Sequence, residues 1–259
     1  MSALDKLFET PGAKLIGYVP AGYPTIEGSK QIIKAMVDGG VDAIEVGFPY
    51  SDPVMDGPTI QAAADQSLSN GTSAKDVMET LAYAATLAPS VIMSYWNPIE
   101  KYGLEKFASD MAAAGGSGTI TPDLTVEEAG PWLEACKTHG LNPIFVIAPS
   151  SNDERLERVV KNCGGFVYAA SIMGVTGARA SVSNAAESLV ERARKFTELP
   201  ISVGLGVSTP EQAEGVAKYA NGVIVGSAFI NAVAKAPDFE TGLKAVRQLA
   251  EELKAGISK

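Results

Sequence analysis

Along the 259-residue chain, short aliphatic runs alternate eight times with stretches of helical spacing. The runs fall at 14–19, 43–46, 91–94, 119–120, 143–147, 166–169, 201–204 and 223–225. The stretches between them place apolar residues three and four apart, at 26–38, 74–87, 104–114, 126–138, 154–162, 185–197, 211–218 and 239–254. Strict alternation calls for parallel strands joined by helical crossovers. At this length the expected architecture is a single α/β domain, a (β/α)₈ TIM barrel over residues 1–259, with a doubly wound open sheet as the alternative. Residues 3–9 read as a short extra N-terminal helix covering the barrel floor. No linker or shift in composition marks a second domain.

A strand buried on both faces should be almost wholly aliphatic. The second run breaks that rule with Glu45, and the turn-rich segment after it carries Asp52 and Asp56. A carboxylate inside an apolar strand is costly unless it is paired or used. With a second carboxylate on the following loop, it forms a plausible acid–base pair. Asp52 and Asp56, before Pro53 and Gly57, also fit ordinary turn positions. The single histidine, His139, precedes Gly140 and reads as a helix C-terminus, so no histidine-based triad or metal site is expected.

The net charge of −9 disfavours nucleic acid as a partner, which needs a basic footprint. It leaves room for a small anion held by backbone N–H groups. Two glycine turns serve that purpose: 204–208 after strand seven and 226–228 after strand eight, where barrels often bind phosphate. Neither matches a Walker or dinucleotide fingerprint. Gly174 and Gly177, after strand six, fit either plain turns or the hinges of a lid, with Arg179 available beside them. Tyr168, at the end of strand six, fits either the barrel mouth or the core. Cys136 and Cys163 lack a C-x-x-C partner and read as reduced thiols. No targeting segment or membrane span is legible, so a cytoplasmic location is expected.

The run from Glu45 to Gln61 (EVGFPYSDPVMDGPTIQ) resembles the signature of the tryptophan synthase alpha subunit family. The resemblance extends to Ala21-Gly22-Tyr23-Pro24, Ser94-Tyr95-Trp96-Asn97-Pro98, Pro122-Asp123-Leu124 and Gly174-Val175-Thr176-Gly177. It implies a lyase that splits indole-3-glycerol phosphate by a retro-aldol reaction into indole and glyceraldehyde 3-phosphate, with no metal or cofactor in this chain. It implies a beta-subunit partner in an α₂β₂ complex, which holds pyridoxal phosphate and receives the indole through a tunnel. Residue by residue, it makes Glu45 and Asp56 catalytic, with Tyr168 and Thr176 in support. Gly177, Leu205, Gly206, Gly226 and Ser227 would hold the phosphate. Tyr18, Met93 and Ile120 would form the indole pocket, and Asp52, Pro53 and Asn97 would face or signal to the partner. Tyr18, Pro20, Trp96 and Thr125 depart from the usual phenylalanine, threonine, small residue and proline.

Competing readings are a stand-alone indole-producing lyase, another phosphate-binding barrel, and a non-catalytic regulatory subunit. A Schiff-base aldolase would need a lysine at the C-terminal end of a strand, and the expected strands offer none.

Overall fold

The structure is a computed structural model describing residues 1–170, 184–204 and 206–258. Eight strands pair in parallel and close into one barrel in chain order: β1 (Lys14–Pro20), β2 (Ala43–Gly47), β3 (Ser90–Met93), β4 (Gly118–Thr121), β5 (Asn142–Ile147), β6 (Val167–Ala170), β7 (Ile201–Gly204) and β8 (Gly222–Val225). This is the expected TIM barrel, with α1 (Ala3–Glu9) at its N-terminus. The open-sheet alternative fails because β1 pairs with β8 as well as with β2.

Alternate residues of each strand face opposite ways. One set (Leu15, Val19, Ile44, Val46, Ile92, Val167, Val203, Val223) packs outward into the main core shared with the helices. The other set meets inside the barrel, where Ile16, Ala43, Val91, Ile120, Ile144, Phe166, Tyr168 and Ile224 form a second core with Leu4 of α1. A capping box between Ser2 and Asp5 starts α1. Phe8 of α1 lies 5.8 Å from the ring of Phe166, so the helix closes the barrel floor.

The barrel is wrapped by α2 (Ile26–Asp38), α4 (Ala74–Ala85), α6 (Leu104–Ala113), α7 (Gly130–His139), α8 (Asp153–Val160), α9 (Asn184–Ala193), α10 (Pro210–Ala217) and α12 (Phe239–Ile257). Three further helices were not expected from the sequence: α3 (Pro58–Ser69), α5 (Trp96–Tyr102) and α11 (Ser227–Ala234). Pro58 and Pro98 look like loop residues, yet both occupy a first helical turn, where proline costs no hydrogen bond. The sequence of α11, SAFINAVA, has too little polar surface to show a period. The helix expected at 126–138 starts later, at Gly130. His139 ends α7 as expected, before Gly140 at φ 67°, and pairs with Glu105 at 2.6 Å. Cys136 and Cys163 are unpaired, and burial pushes both thiols up to about 12. Among the described residues no helix is long and apolar enough to cross a membrane.

Candidate active site

At the C-terminal end of the barrel the strands open into a cleft of about 700 Å³, counting the space at its mouth that is open to solvent. Its floor is the uppermost inward layer: Tyr18 of β1, Glu45 of β2, Met93 of β3, Ile120 of β4, Val146 of β5, Tyr168 of β6 and Ile224 of β8. Register places Tyr18 beside Glu45 on neighbouring strands. Both tyrosines fit because glycine stands opposite them. A Cβ at Gly47 would collide with the Tyr18 hydroxyl, and one at Gly204 with the Tyr168 hydroxyl. On its other side Tyr18 lies against Gly226, where an added Cβ would stand 3.1 Å from its ring.

Glu45 is 2% exposed, and its Oε1 has no hydrogen-bond partner among the described residues. Loss of hydration raises its carboxyl to about 8, so it is mainly protonated at neutral pH. Asp56 comes from the loop between β2 and α3 and is also buried. Burial lifts its carboxyl to about 6, opposed by the neighbouring Tyr95 hydroxyl, so it is mainly ionised at neutral pH. Its backbone carbonyl accepts the Gln61 side-chain amide at 2.7 Å, which ties the loop to α3. Tyr18 and Tyr168 are raised well above the usual phenol range, by burial first and then by the nearby Glu45 and Asp56 carboxylates. They remain protonated donors. Two carboxyls about two units apart, one protonated and one ionised, are what acid–base chemistry near pH 7 requires.

The opposite wall is backbone. Gly206 stands at φ 101°, a left-handed conformation that favours glycine. Gly226, Ser227 and Ala228 open α11, which has no side-chain cap and no acidic residue in its first turn. α3, α5, α6 and α7 also lack a side-chain cap, whereas α2, α4, α8, α10 and α12 are capped by Thr25, Ser73, Asn152, Thr209 and Asp238; what sets α11 apart is that its start lines the cleft. An uncapped helix start facing a cavity is a seat for an anion. Among the described residues, no lysine or arginine lines the cleft, and no cluster of His, Cys, Asp and Glu could hold a metal ion.

A sequence profile of the family described as "Tryptophan synthase alpha chain" matches residues 4–258. The chain belongs to the tryptophan synthase alpha family. It is 56% identical to the tryptophan synthase alpha chain of Thermobifida fusca, covering 95% of this chain and 92% of that one. With the alpha chain of Streptomyces coelicolor it shares 53% identity, over 95% and 91% of the two chains. Among solved structures it is similar to a chain of Mycobacterium tuberculosis tryptophan synthase, with 47% identity, a TM-score of 0.93 and coverage of 99% and 98%. The alpha subunit from Legionella pneumophila str. Paris matches at 31% identity and a TM-score of 0.88, over 100% and 99%. The alpha family is an indole-3-glycerol-phosphate lyase of tryptophan biosynthesis and uses no cofactor of its own, pyridoxal phosphate belonging to the beta subunit.

The structure brings together Tyr18, Glu45, Asp56, Met93, Ile120, Tyr168, Gly206, Gly226 and Ser227 around one cavity. Thr176, Gly177 and Leu205, and with them the strand-six loop, lie outside the described residues. Asp52, Pro53 and Asn97 do not line the cleft; Asp52 and Asn97 are exposed, and Asp52 accepts the Ser51 hydroxyl at 2.6 Å. The sequence reading overlooked Met55, Ile60, Val146 and Ile224 as lining residues. Strand alternation carried a signal for two of them: Val146 lies two residues beyond inward Ile144, and Ile224 two before Gly226.

Proposed function

We propose that Glu45 and Asp56 carry the retro-aldol cleavage of indole-3-glycerol phosphate in this chain. The observation that carries this is that two buried carboxyls, Glu45 and Asp56, line one cleft, with burial raising Glu45 further than Asp56. The Glu45 carboxylic acid donates its proton to indole C3. The ring becomes an indoleninium cation, and the Asp56 carboxylate accepts its N–H and offsets the charge. The Glu45 carboxylate then takes the proton of the side-chain hydroxyl on the carbon attached to C3. As the aldehyde C=O forms, the C–C bond breaks and its electron pair returns to the ring. Indole and glyceraldehyde 3-phosphate leave, and Glu45 is protonated again.

Tyr18, Met93 and Ile120 offer the flat apolar slot for the indole. The open start of α11, with Gly206, offers N–H groups for the phosphate. Gly177 and Leu205 belong to the same phosphate set by family resemblance, with Thr176 as the lid residue and Tyr168 in support of Glu45. The whole chain acts as one domain in the cytoplasm, paired with a beta subunit in an α₂β₂ complex. Exposed Asp52 and Asn97, with Pro53, are assigned to that contact. Related solved structures are of Mycobacterium tuberculosis tryptophan synthase, which supports the partnership. The absence of a lysine among the described lining residues counts against a Schiff-base aldolase.

The deciding experiment is indole release from indole-3-glycerol phosphate by the purified chain, alone and with a beta subunit. Slow release that rises with the partner supports the reading. Binding without turnover in either condition makes the chain a regulatory subunit, and an equal rate in both makes it a stand-alone lyase.

A further inference from the structure

Tyr95 follows β3 and has no part in the cleavage as assigned above. Its side chain is 1% exposed. The ring packs on Tyr50, with centroids 5.5 Å apart. Its hydroxyl reaches the loop after β2 and accepts the Met55 backbone N–H at 3.1 Å. Tyr50 and Met55 bracket the largely exposed residues 51–54, so one side chain pins both ends of that excursion. The residue after Met55 is Asp56.

A phenol oxygen that accepts an N–H still has its own proton to give. The Met55 N–H places the Tyr95 hydroxyl beside the next residue, Asp56, where it favours the charged carboxylate, and burial with the Asp56 charge keeps the phenol protonated. The base of the side chain is held as firmly. Tyr95 is the N-cap residue of α5, its carbonyl accepts the Ser94 hydroxyl at 2.9 Å, and Asp123 accepts the next N–H, that of Trp96, at 2.9 Å.

We propose that Tyr95 is a positioning residue for Asp56: seated by the Met55 N–H, its hydroxyl donates to the carboxylate and fixes it with an oxygen left for the substrate's ring N–H. This rests on the role given to Asp56 above. The other titratable groups around Asp56 are Glu45 of β2, Tyr18 of β1 and Tyr168 of β6. None of these carries a positive charge. Tyr95 is therefore the described side chain that favours the Asp56 anion against burial.

Tyr95→Phe keeps the ring and removes the donor. In the wild type, kcat/KM against pH should be bell-shaped, with an acidic limb from Asp56 near 6 and a basic limb from Glu45 near 8. In Tyr95→Phe the acidic limb should move up by about one pH unit while the basic limb stays, so the bell narrows from one side. A merely structural role would lower the whole profile without moving either limb, and that result overturns the proposal. Carbon-13 NMR titration of the Asp56 carboxyl in both proteins, without substrate, reads the same shift directly. If the wild type releases no indole, the reading of the reaction fails, and the carboxyl titration still judges Tyr95. An unchanged Asp56 titration in Tyr95→Phe overturns the proposal whatever the turnover.

Discussion

Within the same barrel interior, two successive inward layers behave as different materials. The lower one holds Ile16, Ala43, Val91, Ile144 and Phe166, sealed by Leu4 of α1. The upper one, two residues further along the same strands, holds Tyr18, Glu45, Met93, Val146 and Tyr168. The rise between them is roughly 6.6 Å. Over that distance β2 passes from alanine to a carboxyl raised to about 8, and β6 from Phe166 to a phenol flanked by Gly204. The lower layer lowers the free energy of the fold. The upper layer raises it, because burying an unpaired carboxyl costs several kcal/mol. Stability and chemistry are stacked along each strand rather than placed in separate regions.

The sharpest way to break this division is to substitute the carboxyls of the site and, separately, a residue of the lower layer. Glu45→Gln and Asp56→Asn should each leave the fold intact and lower turnover by about 10²–10⁴-fold. Near-normal indole release by either variant would remove its assigned role. Ile144→Ala, one layer down, should cost about 2–5 kcal/mol of stability in denaturant titrations. Its kcat in the folded fraction should be close to wild type, and a kcat loss as large as that of Glu45→Gln would erase the distinction.

The pH dependence of stability refines it. Glu45 has a folded-state value raised from 4.5 to about 8, so between those values the folded chain holds a proton that the unfolded chain has released. Stability from this group is therefore full below about 4.5 and falls as pH rises, by about 1.4 kcal/mol per unit, until the carboxyl ionises near 8. Asp56 adds the same sign between 3.8 and about 6. Glu45→Gln removes the first contribution. Its melting temperature relative to wild type should rise between pH 5 and pH 8, and a constant difference would mean that Glu45 is not buried uncompensated.

A smaller effect is expected from Gly226→Ala. Its Cβ would press on the Tyr18 ring at 3.1 Å, narrowing the slot beside the phosphate seat. KM should rise several-fold, with stability lowered by about 1–3 kcal/mol. An unchanged KM would show that the ring can yield. Smallest of all, His139→Gln on the outer surface breaks the pairing with Glu105 and should change stability by under about 1 kcal/mol, with activity untouched.

Much of this division could be read from the residues alone. Aliphatic runs gave all eight strands, and Glu45 stood out as the one carboxylate inside them. The floor helix was expected over residues 3–9, where α1 stands. What stayed hidden had local causes. Proline concealed the starts of α3 and α5, and α11 had no polar stripe to show its period. Ile60 went unnoticed because its helix did. Tyr95 lies beyond the end of β3, so strand alternation could not say that it turns toward the Asp56 loop.

The floor helix has a consequence for how the chain is made. Leu4 is 1% exposed, and the side chain of Asn142 donates to the Ser2 hydroxyl at 2.9 Å and to Asp5 at 3.1 Å. The residues of α1 must wait for partners as far as 140 positions later in the chain before they can settle. Closing so long a loop brings no contact until late. Until then the barrel is a cylinder open at its base.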